Sequence, residues 1–176
     1  MSELFEKTTA SKEIYNGKII TVKLDDAELP NGKQVKREVV EHFDGVAIAA
    51  EIDGRILMVK QFRYPAKEVL YELPAGKLDK KNEDILSAAK RELEEETGYI
   101  ADTWESLGYV WSSPGFCNER IHLFKASNLS YKGQHLDEDE FLDFEAIEKD
   151  KVFDMIKQNI INDAKSVSAI MKAYKL

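Results

Sequence analysis

Apolar positions along this chain fall into short β-like runs in its first third and into helical repeats in the middle and at the end. The first strand-like stretch is Lys18-Ile19-Ile20-Thr21-Val22-Lys23-Leu24, and the second runs from Val35 to Phe43. Leu29-Pro30-Asn31-Gly32 lies between them. Proline presets one turn dihedral and Asn-Gly accepts positive φ, so this pair is expected to be antiparallel. Val46 to Ile52 and Ile56 to Phe62 are apolar and β-rich, and they flank Asp53-Gly54, a second hairpin signal. Helical spacing takes over from about Glu83 to Glu96, where Ile85, Leu86, Ala89 and Leu93 recur. Asn82 is the expected N-cap, and Gly98 stands where a left-handed C-terminal residue belongs. Strand-like text returns in Ser106 to Trp111, Ile121 to Ala126 and Phe141 to Ile147, and helical spacing in Asp150 to Asn159 and Asp163 to Tyr174. Two successive hairpins, one embedded helix, further strands and terminal helices together predict an α/β sandwich with a mixed sheet.

Composition narrows the class. A length of 176 residues suits one domain with a short appended arm, and no internal repeat divides it. With 43% hydrophobic and 33% charged residues, disordered, collagen-like and membrane classes are excluded. No apolar run approaches the roughly 18 residues of a membrane span. The opening Met1 to Lys7 lacks the basic-then-apolar order of a signal peptide, and Cys117 is the only cysteine, so residence in a reducing cytoplasm is expected. A formal charge of −8 argues against non-specific binding to nucleic acid. A negatively charged substrate would then need arginines or bound cations.

The chemistry concentrates in Lys90-Arg91-Glu92-Leu93-Glu94-Glu95-Glu96-Thr97-Gly98-Tyr99. At about 100° per residue, Glu92 and Glu96 lie about 40° apart and fall beside the apolar strip of Ile85 and Ala89. Both acids are therefore expected to point toward the body of the protein. Like charges at that spacing repel, and negative charge near a helix C-terminus adds an unfavourable term of roughly 0.3–1 kcal/mol. A hard divalent cation would relieve both. An acidic run on a helix is also an ordinary solvated face, and spacing alone leaves the two readings open.

Residue order adds more. The segment from Gly76 through Glu83 to Arg91-Glu92-Leu93-Glu94-Glu95-Glu96-Thr97-Gly98-Tyr99 resembles the Nudix box, G-x5-E-x7-R-E-U-x-E-E-x-G-U. From Glu83 to Tyr99 every position matches, but six residues, not five, separate Gly76 from Glu83. The resemblance implies a Nudix-type α/β/α sandwich with a mixed β-sheet and metal binding by Glu92 and Glu96, with Glu95 as support or third ligand. It gives Arg91 the task of orienting the carboxylates by ion pairing, and it implies Mg2+ as cofactor, with Mn2+ as an alternative.

The flanks resemble the ADP-ribose pyrophosphatase branch of that superfamily. The likeness is carried by Val59-Lys60-Gln61-Phe62-Arg63-Tyr64, Tyr71-Glu72-Leu73-Pro74-Ala75-Gly76 and Ser112-Ser113-Pro114-Gly115-Phe116, with Pro114 sixteen residues past Gly98. By that resemblance Arg63 meets the pyrophosphate or terminal ribose, Glu72 the substrate near it, and the Ala75 carbonyl one metal. Pro114, Gly115 and Phe116 would line the substrate. From the residues alone, Arg63 could equally form a structural salt bridge, and Pro114-Gly115 could be a plain turn. The acidic run Asp137-Glu138-Asp139-Glu140 reads as a solvated loop, whereas the resemblance places a general base there, Glu140 first and Glu138 as its substitute. Residues 1–44 are read as an N-terminal β arm and dimerisation region, 45–176 as the Nudix hydrolase domain. A homodimer is expected, in which Arg37 reaches the substrate. The implied reaction is metal-dependent hydrolysis of ADP-ribose to AMP and ribose 5-phosphate. Another nucleotide sugar or dinucleotide is the alternative substrate, and a non-catalytic ADP-ribose-binding module the alternative class.

Overall fold

The computed structural model describes residues 4–78, 80, 83–135 and 141–175. Ten strands and three helices follow in the order β1 (Lys7–Asn16), β2 (Ile20–Glu28), β3 (Gln34–His42), β4 (Gly45–Ile52), β5 (Arg55–Arg63), β6 (Glu68–Glu72), β7 (Ala75–Lys77), α1 (Ile85–Thr97), β8 (Tyr99–Trp111), β9 (Arg120–Tyr131), β10 (Leu142–Glu148), α2 (Lys149–Lys157) and α3 (Ala164–Tyr174). They group into two compact units: residues 1–43 with 111–120, and residues 44–110 with 121–176.

In the first unit β1, β2 and β3 form an antiparallel meander, with Ile20 opposite His42 and Glu28 opposite Gln34 across the predicted turn. Gly32 takes φ 82° there, as the Asn-Gly signal requires. β1 was not legible in the sequence. Every one of its residues is exposed, so ladder hydrogen bonds hold it and no alternation of apolar residues marks it. The segment after Trp111 folds onto β3: the Val40 amide donates to the Phe116 carbonyl (2.7 Å) and the Asn118 amide to the Val40 carbonyl (3.1 Å).

The second unit is an α/β/α sandwich on a seven-stranded sheet with the path β10-β5-β4-β9-β8, β6 pairing with β5 and β7 with β4. β4 and β9 run parallel while β4 pairs antiparallel with β5 and β7, so the sheet is mixed as the pattern predicted. Alternation along β4 assigns its two faces. Ala47 and Ala49 pack with Val152, Phe153, Ala169 and Ile170 of α2 and α3, whereas Val46, Ile48 and Ala50 pack with Ala88, Ala89 and Leu93 of α1. Both faces are covered, which is why β4 reads as a continuous apolar run.

Three expectations need correction. Helix α1 is capped by Asp84, whose carboxylate accepts from the amides of Leu86 and Ser87, and not by Asn82, which lies outside the described residues. Its buried stripe is Ala88, Ala89, Glu92, Leu93, Glu96 and Thr97, and Ile85 stays outside it. Gly98 closes the helix at φ 72° as expected, donating to the Glu94 carbonyl at 2.8 Å. β8 starts at Tyr99, seven residues before the predicted Ser106, because much of it is solvent-exposed. Among the described residues no helix is long and apolar enough to cross a membrane.

Candidate active site

Helix α1 ends against β7, and that junction gathers the acidic residues. Glu92 and Glu96 are buried at 8% and 3% exposure, so the angular argument holds: neither belongs to a solvated face. Glu96 Oε2 accepts the Ala75 amide at 2.9 Å, tying the end of the helix to the short strand. The Glu92 carboxylate lies over Gly76, where a Cβ would stand well within 3.0 Å of Cδ and both oxygens. This explains the glycine. Its φ is ordinary, and what it provides is room for a carboxylate. The extra residue between Gly76 and Glu83 therefore leaves the glycine in contact with the acidic helix.

Arg91 lies within this group. Its Nε and Nη2 donate to the two oxygens of Glu83 (2.9 and 3.0 Å), while Nη1 donates to Glu92 (2.6 Å) and to Glu95 (2.7 Å). A planar fork suits such multi-point pairing better than a lysine would. The hydrogen bond from Arg91 holds the Glu83 carboxyl below the usual carboxylate range, and those to Glu83 and Glu95 hold the guanidinium firmly charged. Glu95 also has Lys80 at 3.6 Å. Three carboxylates, those of Glu83, Glu92 and Glu95, surround one guanidinium, so this helix end is strongly anionic. Its last carbonyls are nonetheless satisfied, since Gln134 Nε2 donates to the Glu96 carbonyl (2.6 Å) and the His135 amide to that of Glu95 (3.2 Å).

Beside β7, Arg63 and Glu72 form a two-point pair, Nε to Oε1 and Nη2 to Oε2, both 2.6 Å. Of the two readings of Arg63, the salt bridge is thus real, and it does not exhaust the side chain. Two of the five guanidinium N–H groups are used, and the rest have no partner among the described residues. Glu72 is 1% exposed. Burial pushes its pKa up, but the hydrogen bonds and charges of Arg63 and Lys165 outweigh that and hold the carboxyl below its ordinary range. Lys165, from the first turn of α3, escaped the sequence reading; it meets Glu72 from 93 residues away, and nothing local marks it.

The candidates in the first unit are placed separately. Arg37 on β3 is held by both oxygens of Glu6, from Nε and Nη2, at 2.9 Å. Pro114, Gly115 and Phe116 form the turn closed by the Phe116 and Cys117 amides on the Ser113 carbonyl (3.1 and 2.9 Å). Glu138 and Glu140 lie outside the described residues.

Carboxylate and carbonyl oxygens are the donors that hard divalent ions take, so the chemistry of Ala75, Glu92, Glu95 and Glu96 fits such an ion. Among the described residues no three acidic, histidine or cysteine side chains converge as a finished cage. Such a site would be completed by substrate phosphates and water, the usual arrangement for magnesium.

Comparison with known proteins agrees with this geometry. Residues 41–169 match the NUDIX domain, and residues 6–40 match the nucleoside diphosphate sugar hydrolase N-terminal domain. The chain therefore belongs to the Nudix hydrolase family, whose members generally depend on divalent metal ions. It is 43% identical to the ADP-ribose pyrophosphatase of Bacillus subtilis, over 97% of this chain and 93% of that one. It is 45% identical to the methanol dehydrogenase activator of Bacillus methanolicus, over 97% and 94%. A crystal structure of an ADP compounds hydrolase shares the fold at a TM-score of 0.86, with 21% identity over 98% of this chain and 94% of that one.

Proposed function

We propose that the protein hydrolyses the pyrophosphate bond of ADP-ribose, giving AMP and ribose 5-phosphate, with Mg2+ as cofactor and Mn2+ as a substitute. The observation that carries this reading is the pair of buried carboxylates, Glu92 and Glu96, packed against Gly76 and the Ala75 amide with Arg91 clamped beside them. Burying such a cluster costs stability, and cation binding offsets that cost. Glu92, Glu95, Glu96 and the Ala75 carbonyl would hold the ion. When bound, it neutralises diphosphate charge and lowers the pKa of a coordinated water.

This chain's own groups do the rest. Arg91 orients the neighbouring carboxylates. Arg63 takes a phosphate oxygen with the donors that Glu72 leaves over, and Glu72 fixes the plane of that guanidinium. Pro114, Gly115 and Phe116 are assigned to the substrate by the resemblance to the ADP-ribose pyrophosphatase branch. A water attacks one phosphorus, the bond to the bridging oxygen breaks, and the water's proton passes to a general base, assigned to Glu140 with Glu138 as substitute.

We assign Arg37 to the diphosphate of a neighbouring copy in a homodimer, an anion for which its pairing with Glu6 could be exchanged. We also assign the protein to a reducing cytoplasm, which a single cysteine suits. Light scattering on the purified protein tests the dimer. The activity is tested by a panel of ADP-ribose, nucleotide sugars and dinucleotides with magnesium, reading AMP release. ADP-ribose is expected to be cleaved fastest. The second reading, a nucleotide sugar, has support in the N-terminal family match and replaces the first if one is cleaved tenfold faster.

A further inference from the structure

The first turn of α3 lies far in sequence from the acidic helix, yet it is bonded to Glu72 and to the short link from Glu72 to Ala75. Asp163 caps the helix, accepting from the Ser166 amide (3.0 Å) and the Ser166 hydroxyl (2.6 Å). Ser166, fully buried, accepts the Leu73 amide on its hydroxyl oxygen at 2.7 Å. Lys165 donates to Asp163 Oδ2 at 3.0 Å and to Glu72 Oε2, the same oxygen that Arg63 Nη2 holds. Lys165 is itself largely buried, with 13% of its side chain exposed, against 39% for Arg63. One cation of the pair is therefore walled in, and the other faces outward.

That asymmetry has an electrostatic consequence. Arg63 and Lys165 face two carboxylates, Glu72 and Asp163, so the four charges balance, and Lys165 competes with Arg63 for Glu72 Oε2. Without that competitor Glu72 would hold Arg63 more tightly and leave its guanidinium less available to a substrate anion. We infer that Lys165 is a positioning residue for substrate binding: by competing for Glu72 it sets the direction and availability of Arg63, which then grips the diphosphate. The inference rests on the role of Arg63 in the proposed function, and it assigns Lys165 no contact with substrate.

The test is a double-mutant cycle with ADP-ribose and magnesium, measuring KM and kcat separately. Lys165→Gln keeps a hydrogen-bond donor near Glu72 while removing the charge. It is expected to raise KM about tenfold with kcat within about threefold, and Lys165→Arg to restore KM to within about threefold of the native value. In an Arg63→Ala background Lys165→Gln should raise KM by less than about twofold, because the group it acts through is gone. Unchanged KM in Lys165→Gln, or an equal rise in both backgrounds, overturns the inference. A fall in kcat that Lys165→Arg does not rescue also overturns it, assigning Lys165 a merely structural role. Failure of the underlying reading looks different: the native protein would then release no AMP from ADP-ribose at all.

Discussion

Gly76→Ala isolates the packing between β7 and the acidic helix. An alanine Cβ would sit within 3.0 Å of Glu92 Cδ, Oε1 and Oε2, where ordinary contact begins near 3.4 Å. Those atoms are the far end of a flexible side chain, so the carboxylate swings away and the backbone stays. A displacement of about 1 Å breaks the 2.6 Å bond from Arg91 Nη1 and moves an oxygen assigned to the metal. Overpacking costs about 1–3 kcal/mol, and the lost charge-assisted bond is of the same order, in part recovered by relaxation. A net loss of roughly 1–3 kcal/mol in urea unfolding is expected. Activity should suffer more, since a misplacement of about 1 Å in a reacting assembly costs about 10²-fold. Manganese affinity, read by electron paramagnetic resonance, should weaken by roughly 10–100-fold, the range seen when groups supporting a metal ligand are disturbed. Retention of native manganese affinity and kcat/KM by a folded Gly76→Ala, while Glu92→Gln loses both, would refute the packing argument.

Other outcomes follow from the same geometry. Glu96→Gln should abolish AMP release while leaving the circular dichroism spectrum native, and excess chelator should abolish it reversibly, recovered by magnesium. Gly98→Ala meets two obstacles: φ is 72°, and a Cβ would meet the Gln134 amide and Gly133 carbonyl carbon at 2.6 and 2.7 Å. Left-handed strain of about 1–2 kcal/mol and a backbone collision should together lower stability by roughly 2–4 kcal/mol, read by thermal unfolding. Glu72 has a folded-state pKa below its ordinary 4.5. Its contribution is therefore fully present above that value and is lost as pH falls through the lower folded-state value. The stability gap between native protein and Glu72→Gln should be flat above about pH 5 and shrink in acid; a gap that widens in acid contradicts the pairing.

What the sequence determined by itself was local and periodic. The Asn31-Gly32 and Asp53-Gly54 turns, the apolar run of β4, the Gly98 cap and the inward direction of Glu92 and Glu96 all follow from neighbours within a few residues, so spacing carries them. The order of Arg91 and its glutamates was enough to point to the family, because a helix holds residues four apart on one face whatever surrounds it. Tertiary structure decided what depends on distant partners. It brought Lys165 and Ser166 to Glu72 and Leu73, set Gly76 under Glu92 despite the extra residue in the loop, and left β1 exposed along its length. It also moved the cap of α1 to Asp84, since two aspartate or asparagine residues near a helix start satisfy the same capping rule and only the path of the chain chooses between them. Propensity and spacing are properties of a segment, whereas the pairing of Glu72, shared between Arg63 and Lys165, depends on a lysine that no segment containing Arg63 includes.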